Sequence, residues 1–323
     1  MFFTSIKKAA VFAALMSAAF AAQSQDYPNK IVKIVVSYPP GGGADIMARL
    51  IAQKLTTSLG QTFVVENKPG ASGQIASQSV AKSPPDGYTL MLDASSYAVN
   101  PSLFPKLPYD TQTAFAPITL LARFPNMLVV SPDFPATSVK ELVAMAKAKP
   151  GILSYASSGS GSAQHLAGEL FKQQAGVNLQ HVAYKGGGPA MNDVIAGHVP
   201  IFFANMASGL GQVKADKLKA LASTGAKRSA NMPDLPTMAE AGVPGYEVYE
   251  WNVLVAPAGT PPVVINKLHA EVKKVLEMKD VRERLDALGG EVVASSPAET
   301  GTFLKGQMEK WAKVVKAGDI KVD

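Results

Sequence analysis

The sequence predicts an α/β fold with two lobes, and two observations support this prediction. Short apolar segments alternate with amphipathic ones along the chain, as expected where strands alternate with helices in an α/β sheet. A unit of apolar strand, Gly/Ser-rich loop without Lys or Arg, and amphipathic helix also occurs twice, starting at Ile31 and at Ile152. Because the two copies are over a hundred residues apart, we expect one copy in each lobe.

The first lobe is predicted to begin with a buried strand and a helix. Residues 31–36 are mostly apolar, which is typical of a strand inside a parallel sheet. A helix is expected from about Asp45, because apolar residues from Ile46 to Leu55 recur on one stripe, and Gly60 ends it. The elements that follow are a strand at 62–66, a turn at 67–73, a helix to about residue 82, a strand at 88–92 and a polar loop at 93–97.

The middle of the chain is predicted to form the second lobe. Residues 118–123 and 126–130 are expected to be extended, with Pro125 between them, and to form the first crossover between the lobes. The elements that follow are a helix at 139–149, a strand at 152–156, a serine-rich loop at 157–162, a helix from about residue 164 to Gly176, a strand at 181–184, a glycine loop at 186–188 before a helix that starts at Pro189, strands at 201–204 and 220–223, and irregular chain at 231–245.

The last part of the chain is predicted to return to the first lobe. A strand at 253–256 carries it back, and helices at 263–276 and 299–317 follow. Lobe one then consists of residues 25–122 and 252–323, and lobe two of residues 123–251. Two connecting segments form a hinge, and ligand pockets favour such domain interfaces. We interpret Trp251 and Trp311 as packing residues.

The N-terminus has the pattern of an export signal. Lys7 and Lys8 precede an apolar, Ala-rich stretch at 9–20, and small residues follow between Ala19 and Ser24. The apolar stretch is too short to span a bilayer, so we expect residues 1–24 to be a cleaved signal peptide. The chain has no cysteine, which excludes a lipid anchor on cysteine, a disulfide framework and a Cys-ligated metal. These features predict an unlipidated protein of the periplasm.

The charge pattern argues against a nucleic-acid partner. The formal net charge of +6 falls to about +4 without Lys7 and Lys8, and the remaining basic residues are scattered among acidic ones. No basic block interleaved with aromatic residues occurs. We therefore expect no nucleic acid among the partners.

The two repeated loops predict an anion site. A helix that starts after such a loop presents unpaired backbone N–H groups and a partial positive charge. Glycines allow the backbone to approach a ligand closely, and Ser158, Ser160 and Ser162 add O–H donors. Together the loops predict a small carboxylate held between the lobes; the alternative is that they are ordinary strand-to-helix turns.

Other candidate contacts follow strand ends, where α/β sheets place their ligands. Each has a structural alternative: His165 as a helix-start histidine, Asp45 as an acidic residue that favours a helix N-terminus, and the others as turn or cap residues. The full set of predicted ligand contacts is Tyr38, Gly42, Gly43, Ala44, Asp45, Ser95, Ser96, Ser158, Gly159, Ser160, Gly161, Ser162, His165, Tyr184, Gly186 and Asn205.

Several motifs of catalytic and cofactor sites are missing from the sequence. The glycine loops lack the third glycine of a dinucleotide fingerprint, and no phosphate-loop GK[ST] occurs. No G-x-S-x-G elbow surrounds a serine, and the four histidines show no H-E-x-x-H spacing. We therefore expect no catalytic residues, no metal and no cofactor.

Long motifs resemble the Bug (Bordetella uptake gene) family, the periplasmic receptors of tripartite tricarboxylate transporters. The resemblance covers essentially the whole chain after the signal peptide. The matching segments are Tyr38-Pro-Pro-Gly-Gly-Gly-Ala-Asp45 with Arg49, residues 67–73, residues 159–171, Tyr184-Lys-Gly186, Arg228-Ser229 with residues 233–237, residues 240–242, and residues 256–261.

The resemblance implies a periplasmic-binding-protein fold, type II-like with two crossover segments, and no catalytic activity. It also implies that the loops at residues 39–45 and 158–162 hold a carboxylate, partly through ordered water. This chain has Ala44 where the family often has Thr and Tyr97 where it often has His. Since both departures lie near the expected pocket rim, the resemblance does not specify the substrate.

The leading hypothesis is a periplasmic receptor that closes on a small organic carboxylate and delivers it to the integral membrane subunits of a tripartite tricarboxylate-type transporter. We expect it to act as a monomer. A second hypothesis keeps the fold but docks the closed form on a sensor kinase. A third is an exported serine hydrolase that uses Ser160 and His165, although no third catalytic member is evident.

Overall fold

The computed structural model describes residues 27–321, so the predicted signal peptide, residues 1–24, lies outside the described residues. Strands and helices alternate along most of this range, as the sequence predicts. None of the helices in the described range is both long enough and apolar enough to cross a membrane.

The strands are β1 (Val32–Val36), β2 (Phe63–Asn67), β3 (Thr89–Asp93), β4 (Phe115–Val130), β5 (Ser154–Ser157), β6 (Gln180–Ala183), β7 (Ile201–Asn205), β8 (Lys219–Ser223), β9 (Tyr249–Pro257) and β10 (Glu291–Val292). The helices are α1 (Gly43–Leu59), α2 (Gln74–Ala81), α3 (Ser96–Leu103), α4 (Val139–Ala148), α5 (Ala163–Ala175), α6 (Gly187–Ile195), α7 (Met206–Lys214), α8 (Pro262–Glu277), α9 (Lys279–Ala287) and α10 (Pro297–Ala317). A short 3₁₀ turn, Ala71–Gly73, precedes α2.

The strands form one mixed sheet in the order β2-β1-β3-β9-β4-β7-β5-β6, with β8 and β10 also paired to β4. Strand β1 is parallel to β2 and β3, and β5 is parallel to β6 and β7. The long strands β4 and β9 run antiparallel to their neighbours. The parallel groups at both ends of the sheet therefore contain the repeated strand–loop–helix units.

Strand β4 connects the two ends of the sheet because it changes partners along its length. Phe115–Pro125 pair with β9, whereas Asn126–Val130 pair with β7. We call the part with β1, β2, β3, β9 and the beginning of β4 the first sheet section, and the part with β5, β6, β7, β8 and the end of β4 the second. Pro125 lies inside the strand, opposite Tyr249, and does not interrupt it.

The hydrophobic core has three parts, and one of them extends under both sheet sections. One cluster packs α1 and α8 against the first section, and another packs α6 and α7 against the second. The third cluster joins residues of both sections and includes Trp251 and Trp311, which are 2% and 1% exposed. Both tryptophans are thus core residues, as the sequence predicts.

Helix α3 replaces most of the loop that the sequence predicts after β3. Ser96 starts the helix, and Pro101 lies within it. Proline in a helix interior removes a hydrogen bond, so Pro101 argues against a helix at this position in the sequence. The helix packs against α10, and Tyr97 and Val99 are buried in the shared core.

Candidate functional site

A narrow cavity lies where the two sheet sections meet, beyond the carboxyl ends of β1, β5, β6 and β7. Its volume is about 40 Å³. A single water needs about 10–15 Å³ of such space, so the cavity has room for only a few water-sized groups. It is lined by Tyr38, Pro39, Pro40, Gly42, Gly43, Ala44, Ser158, Gln164, Gly187, Gly188, Pro189, Phe202, Asn205, Ser208 and Glu250.

The first wall of the cavity is the glycine loop between β1 and α1. Gly42 is the N-cap of α1, and no side chain accepts from the N–H groups of the first turn. Gly43 and Ala44 follow as the first helical residues and also line the cavity. The loop therefore presents unpaired backbone N–H groups at the positive end of a helix of 17 residues.

Asp45 contacts its own loop and does not line the cavity. Its carboxylate accepts from the Gly41 N–H at 3.0 Å, from Arg49 Nε at 3.0 Å and from Asn67 Nδ2 at 2.9 Å. Burial acts against ionisation, but the hydrogen bonds from Arg49, Gly41 and Asn67 hold the pKa of Asp45 below its usual range. Asp45 thus anchors the glycine loop, and it engages the nearby cation Arg49.

The second wall includes the serine loop between β5 and α5. Ser158 lines the cavity, whereas Ser160 is half-buried outside the lining. The Gly159 N–H donates to Ser157 Oγ at 3.1 Å, and Ser162 Oγ accepts from the His165 N–H at 3.3 Å as the N-cap of α5. Most of this loop therefore supports its own turn, and Ser158 is its contribution to the cavity.

His165 is a buried, neutral residue beneath the serine loop. Its side chain is 2% exposed, its Nδ1 accepts from the Gly161 N–H at 3.1 Å, and its ring stacks on His181 with centroids 3.9 Å apart. Burial and the neighbouring His181 lower the pKa of His165 to about 3. The ring thus holds the loop in place, and in the described residues it makes no hydrogen bond to Ser160.

The loop between β6 and α6 forms another part of the second wall. Gly186 is the N-cap of α6 without a side-chain cap, and Gly187, Gly188 and Pro189 line the cavity. Tyr184 points elsewhere: its hydroxyl donates to Asp193 Oδ2 at 2.7 Å, and burial with this contact raises its pKa to about 12.

The two walls approach each other closely at glycines. A Cβ added to Gly43 would lie 3.3 Å from the Asn205 side chain, and one added to Gly186 would lie 2.5 Å from Pro39 Cγ. A Cβ on Gly161 would lie 3.1 Å from Leu103 Cδ1. Larger residues at these positions would hold the walls apart, so the glycines permit the narrow cleft.

Asn205 lies at the end of β7 and contributes a side-chain amide to the cavity. Its Oδ1 accepts from the Ala207 N–H at 2.8 Å and caps α7. Its Nδ2 makes no hydrogen bond of normal geometry in the range 27–321, but the amide lies near Glu250 and favours the ionised form of that side chain. The residue is only 5% exposed. A buried donor without a partner costs free energy, so this amide is suited to a ligand oxygen.

Ser95 and Ser96 lie at the end of β3, beside the cavity. Ser96 Oγ accepts from the Tyr38 hydroxyl at 3.1 Å and donates to Asp93 Oδ1 at 2.9 Å. Asp93 is buried, and burial raises its pKa. The Ser95 hydroxyl is buried without a partner among the described residues. Ser96 therefore links Tyr38, which lines the cavity, to a buried carboxyl group.

Glu250 lines the cavity and lies outside the set predicted from the sequence. Its side chain is 6% exposed, and its Oε2 accepts from Gln164 Nε2 at 2.7 Å. Burial raises the pKa of Glu250 to about 7; Gln164 and the nearby Asn205 amide favour the ionised form, and Asp93 opposes it. None of the lining residues, within the part of the chain that the structure describes, is Lys, Arg or His.

The structure thus brings together Tyr38, Gly42, Gly43, Ala44, Ser158 and Asn205 from the predicted set. It also adds residues outside that set: Pro39, Pro40, Gln164, Gly187, Gly188, Pro189, Phe202, Ser208 and Glu250. A sequence signal existed for one of these, because Glu250 and Asn252 are polar positions that alternate with apolar ones in β9. Within the described residues, no group of three or more His, Asp or Glu side chains is arranged to hold a metal ion.

Comparison with known proteins gives consistent matches over most of the chain. A sequence model of a family, "Tripartite tricarboxylate transporter family receptor", matches residues 47–320. Protein BugT of Bordetella pertussis (strain Tohama I) is 37% identical over 314 residues, which cover 97% of this chain and 96% of BugT.

Two solved structures are also similar. Rpa4515 of R. palustris, solved with adipate, has a TM-score of 0.89 and 37% identity, and the match covers 92% of this chain and 100% of Rpa4515. The periplasmic binding protein BugD has a TM-score of 0.87 and 36% identity, with 92% of this chain and 100% of BugD covered. These similarities confirm the periplasmic-binding-protein fold that the family resemblance implies.

Proposed function

The chain belongs to the family of tripartite tricarboxylate transporter receptors that includes the Bug proteins, and from this premise we propose that it captures a small organic carboxylate in the cavity between the two sheet sections. The observation that supports this most directly is the composition of the cavity wall. Backbone N–H groups at the start of α1 and the residues that begin α6 converge there with Ser158 and Asn205.

Charge-assisted hydrogen bonds explain how such a wall holds an anion without a cation. A hydrogen bond to a charged group contributes about 1.5–3 kcal/mol. Several N–H groups, together with the Asn205 amide, therefore offset the desolvation of one carboxylate. The relative Rpa4515 was solved with adipate, a dicarboxylate, which supports this ligand class for the present chain.

The proposed ligand enters when the two lobes separate and is enclosed when they close. The lobes consist of residues 25–122 with 252–323 and of residues 123–251, and both boundaries fall inside the paired strands β4 and β9. Because the cavity of about 40 Å³ has room for only a few water-sized groups, a dicarboxylate requires the walls to stand farther apart than they do here, both when it enters and when it is bound. We place the protein in the periplasm after removal of the signal peptide, as a monomer, with the membrane subunits of a tripartite tricarboxylate-type transporter as partners.

The proposed activity is binding without turnover. The family is one of receptors, and Ser160, the candidate nucleophile of the hydrolase hypothesis, lies outside the cavity lining. His165 is neutral and is engaged by the Gly161 N–H. Both points favour a receptor over a hydrolase.

Isothermal titration calorimetry tests the proposal. The protein is unfolded and refolded to remove bound ligand, and is then titrated with adipate, malate, citrate, benzoate and glutamate. We expect at least one carboxylate to bind with one site per chain. Gly42→Val, which places a branched side chain among the N–H donors, is expected to weaken that binding while the melting temperature stays near the wild-type value. Lack of binding across the panel would contradict the proposal.

A further inference from the structure

Glu250 is the only Asp, Glu, Lys, Arg or His among the residues that line the cavity, within residues 27–321. It belongs to β9, opposite Phe124, close to the point where β4 changes partners. Its side chain is almost completely buried, and the contact from Gln164 Nε2 to Oε2 at 2.7 Å fixes its position. A carboxyl group is thus built into the wall of a cleft proposed to bind carboxylates.

The groups that face Glu250 do not supply a compensating cation. From β3 comes the carboxyl group of Asp93, and from the loop after β1 comes the phenol of Tyr38; both interact electrostatically with Glu250. From α5 and the end of β7 come the neutral amides of Gln164 and Asn205. Arg49, the cation nearest in the sequence to the glycine loop, is paired with Asp45.

A bound carboxylate would add a second negative charge to the same small, water-poor space. Two carboxylates that share a site cannot both remain ionised at low cost, so the pKa of one rises strongly. The bound ligand receives several N–H hydrogen bonds that favour its ionised form, whereas Glu250 is buried next to Asp93. The proton therefore goes to Glu250 rather than to the ligand.

We propose that Glu250 determines the binding of carboxylates in this cleft by carrying a proton in the bound state and donating its O–H to a ligand oxygen. This inference rests on the proposed function. In the binding reaction, an ionised Glu250 side chain, one proton from the buffer and the ligand anion combine to give a neutral carboxylic acid hydrogen-bonded to the ligand carboxylate. No electron or covalent bond to the ligand is exchanged.

The inference fixes the sign of a pH dependence. Well below neutral pH, Glu250 is already protonated in the free protein, so binding takes up no proton. Above a pH near 7 the free side chain is ionised, and each binding event then takes up one proton. The affinity for a fully ionised ligand therefore falls as the pH rises, by roughly tenfold between about pH 7 and about pH 8.5.

Calorimetry in two buffers measures this proton uptake directly. The full chain without its signal peptide is titrated with adipate and with malate, whose carboxyl groups are ionised above about pH 6.5. Two amine buffers of different ionisation enthalpy are used at each pH, because phosphate is an anion that would compete for the site. The difference in observed heat between them gives the number of protons taken up. We expect about one proton at about pH 8.5 and a much smaller number at about pH 6.5.

Two variants assign the proton to its residue. Glu250→Gln replaces the carboxylic acid with a neutral amide that also donates, so it should bind at about pH 8.5 with no proton uptake and a flat pH profile. Glu247→Gln is the matched control, because Glu247 is an exposed glutamate three positions away in the same segment. It should keep the wild-type proton uptake.

Each outcome separates this inference from the proposed function. Binding without proton uptake by the wild type, or unchanged uptake in Glu250→Gln, overturns the role of Glu250 and leaves the carboxylate receptor standing. Absence of binding to every carboxylate overturns both. If Glu250→Gln does not fold, infrared difference spectra of the wild type at about pH 8.5 decide: ligand binding should add a protonated carboxyl band, and its absence contradicts the proposal.

Discussion

The contact between Gly186 and Pro39 offers a direct test of whether closure of the cleft controls affinity. The two residues belong to opposite walls of the cavity. Gly186 has a φ of +120°, and a Cβ added there would lie 2.5 Å from Pro39 Cγ and 3.2 Å from Pro39 Cδ. The substitution Gly186→Ala therefore introduces both a strained backbone and a steric clash, and the two effects act on different quantities.

The expected magnitudes can be separated. A non-glycine residue at this φ costs about 1–3 kcal/mol, and this strain is present whether the cleft is open or closed. It lowers the stability of the ligand-free protein. The clash with Pro39 exists only when the walls approach, and overpacking of this kind costs about 1–3 kcal/mol. Since 1.4 kcal/mol corresponds to a factor of ten, ligand affinity should weaken roughly 5- to 150-fold.

Calorimetric titration with a carboxylate that the wild type binds measures the affinity, and the melting temperature of the ligand-free protein measures the strain. Gly242→Ala is the matched control, because Gly242 has a φ of +103° and nothing within 4 Å of an added Cβ. It should lower the melting temperature and leave the affinity unchanged. Pro39→Ala removes the ring atoms that the new methyl group would meet. The double variant should therefore recover affinity relative to Gly186→Ala, in a double-mutant cycle with clear coupling.

The reasoning fails if Gly186→Ala weakens binding equally with and without Pro39, because the loss would then come from strain or from altered N–H donors. It also fails if the single variant binds as tightly as the wild type. Either result would mean that the close approach of these two loops does not govern the bound state.

Three further predictions concern stability. Because burial lowers the pKa of His165 to about 3, the folded protein excludes a proton that the unfolded chain takes up below about pH 6.5. The free energy of unfolding should therefore fall by about 2 kcal/mol between pH 7 and pH 5. Urea titrations of His165→Gln at the two pH values should show a smaller loss. Ser162→Ala removes the cap of α5 and should cost about 1 kcal/mol in the same assay. Gly168→Ala places a methyl group 2.1 Å from Tyr155 Cε2 and should lower the free energy of unfolding by about 1–3 kcal/mol or more. Gly211→Ala is the control, because an added Cβ there has nothing within 4 Å, and it should leave the stability unchanged or raise it. Equal effects of the two substitutions would contradict the packing argument.

Much of the fold was predictable because its signals are local. The helix expected at residues 139–149 is Val139–Ala148, and the one expected at 263–276 is Pro262–Glu277. Both segments have an apolar stripe, and a local residue marks the start of each: Ser138 caps the first helix, and proline begins the second. Helix α3 lacks such marks, since it contains Pro101 and is held by packing against α10.

The candidate site was only partly predictable, because some of its wall residues are brought to the cavity by pairing between distant segments. The glycine-rich composition of the loop with Gly42 and Gly43 is visible in the sequence and predicts its role. For Glu250 the sequence shows only a polar position between apolar ones in β9, since its burial and its contact with Gln164 arise only when β9 pairs with β4 across more than a hundred residues. The sequence also left the role of Asp45 open, and its contacts with Gly41, Arg49 and Asn67 favour the structural interpretation.

Because the described cavity wall contains no cation, we expect the affinity for a carboxylate to depend on how closely the two walls approach. An arginine in one wall would hold a carboxylate tightly even in an open cleft. Here each wall supplies only part of the donors, from the start of α1 on one side and from Ser158 and Asn205 on the other. We expect the open form to bind weakly, and the remaining hydrogen bonds to form as the walls approach. Gly43, Gly161 and Gly186 lie where the walls meet and determine how closely they approach. A side chain added at these positions would hold the walls apart, so some N–H donors would not reach the ligand.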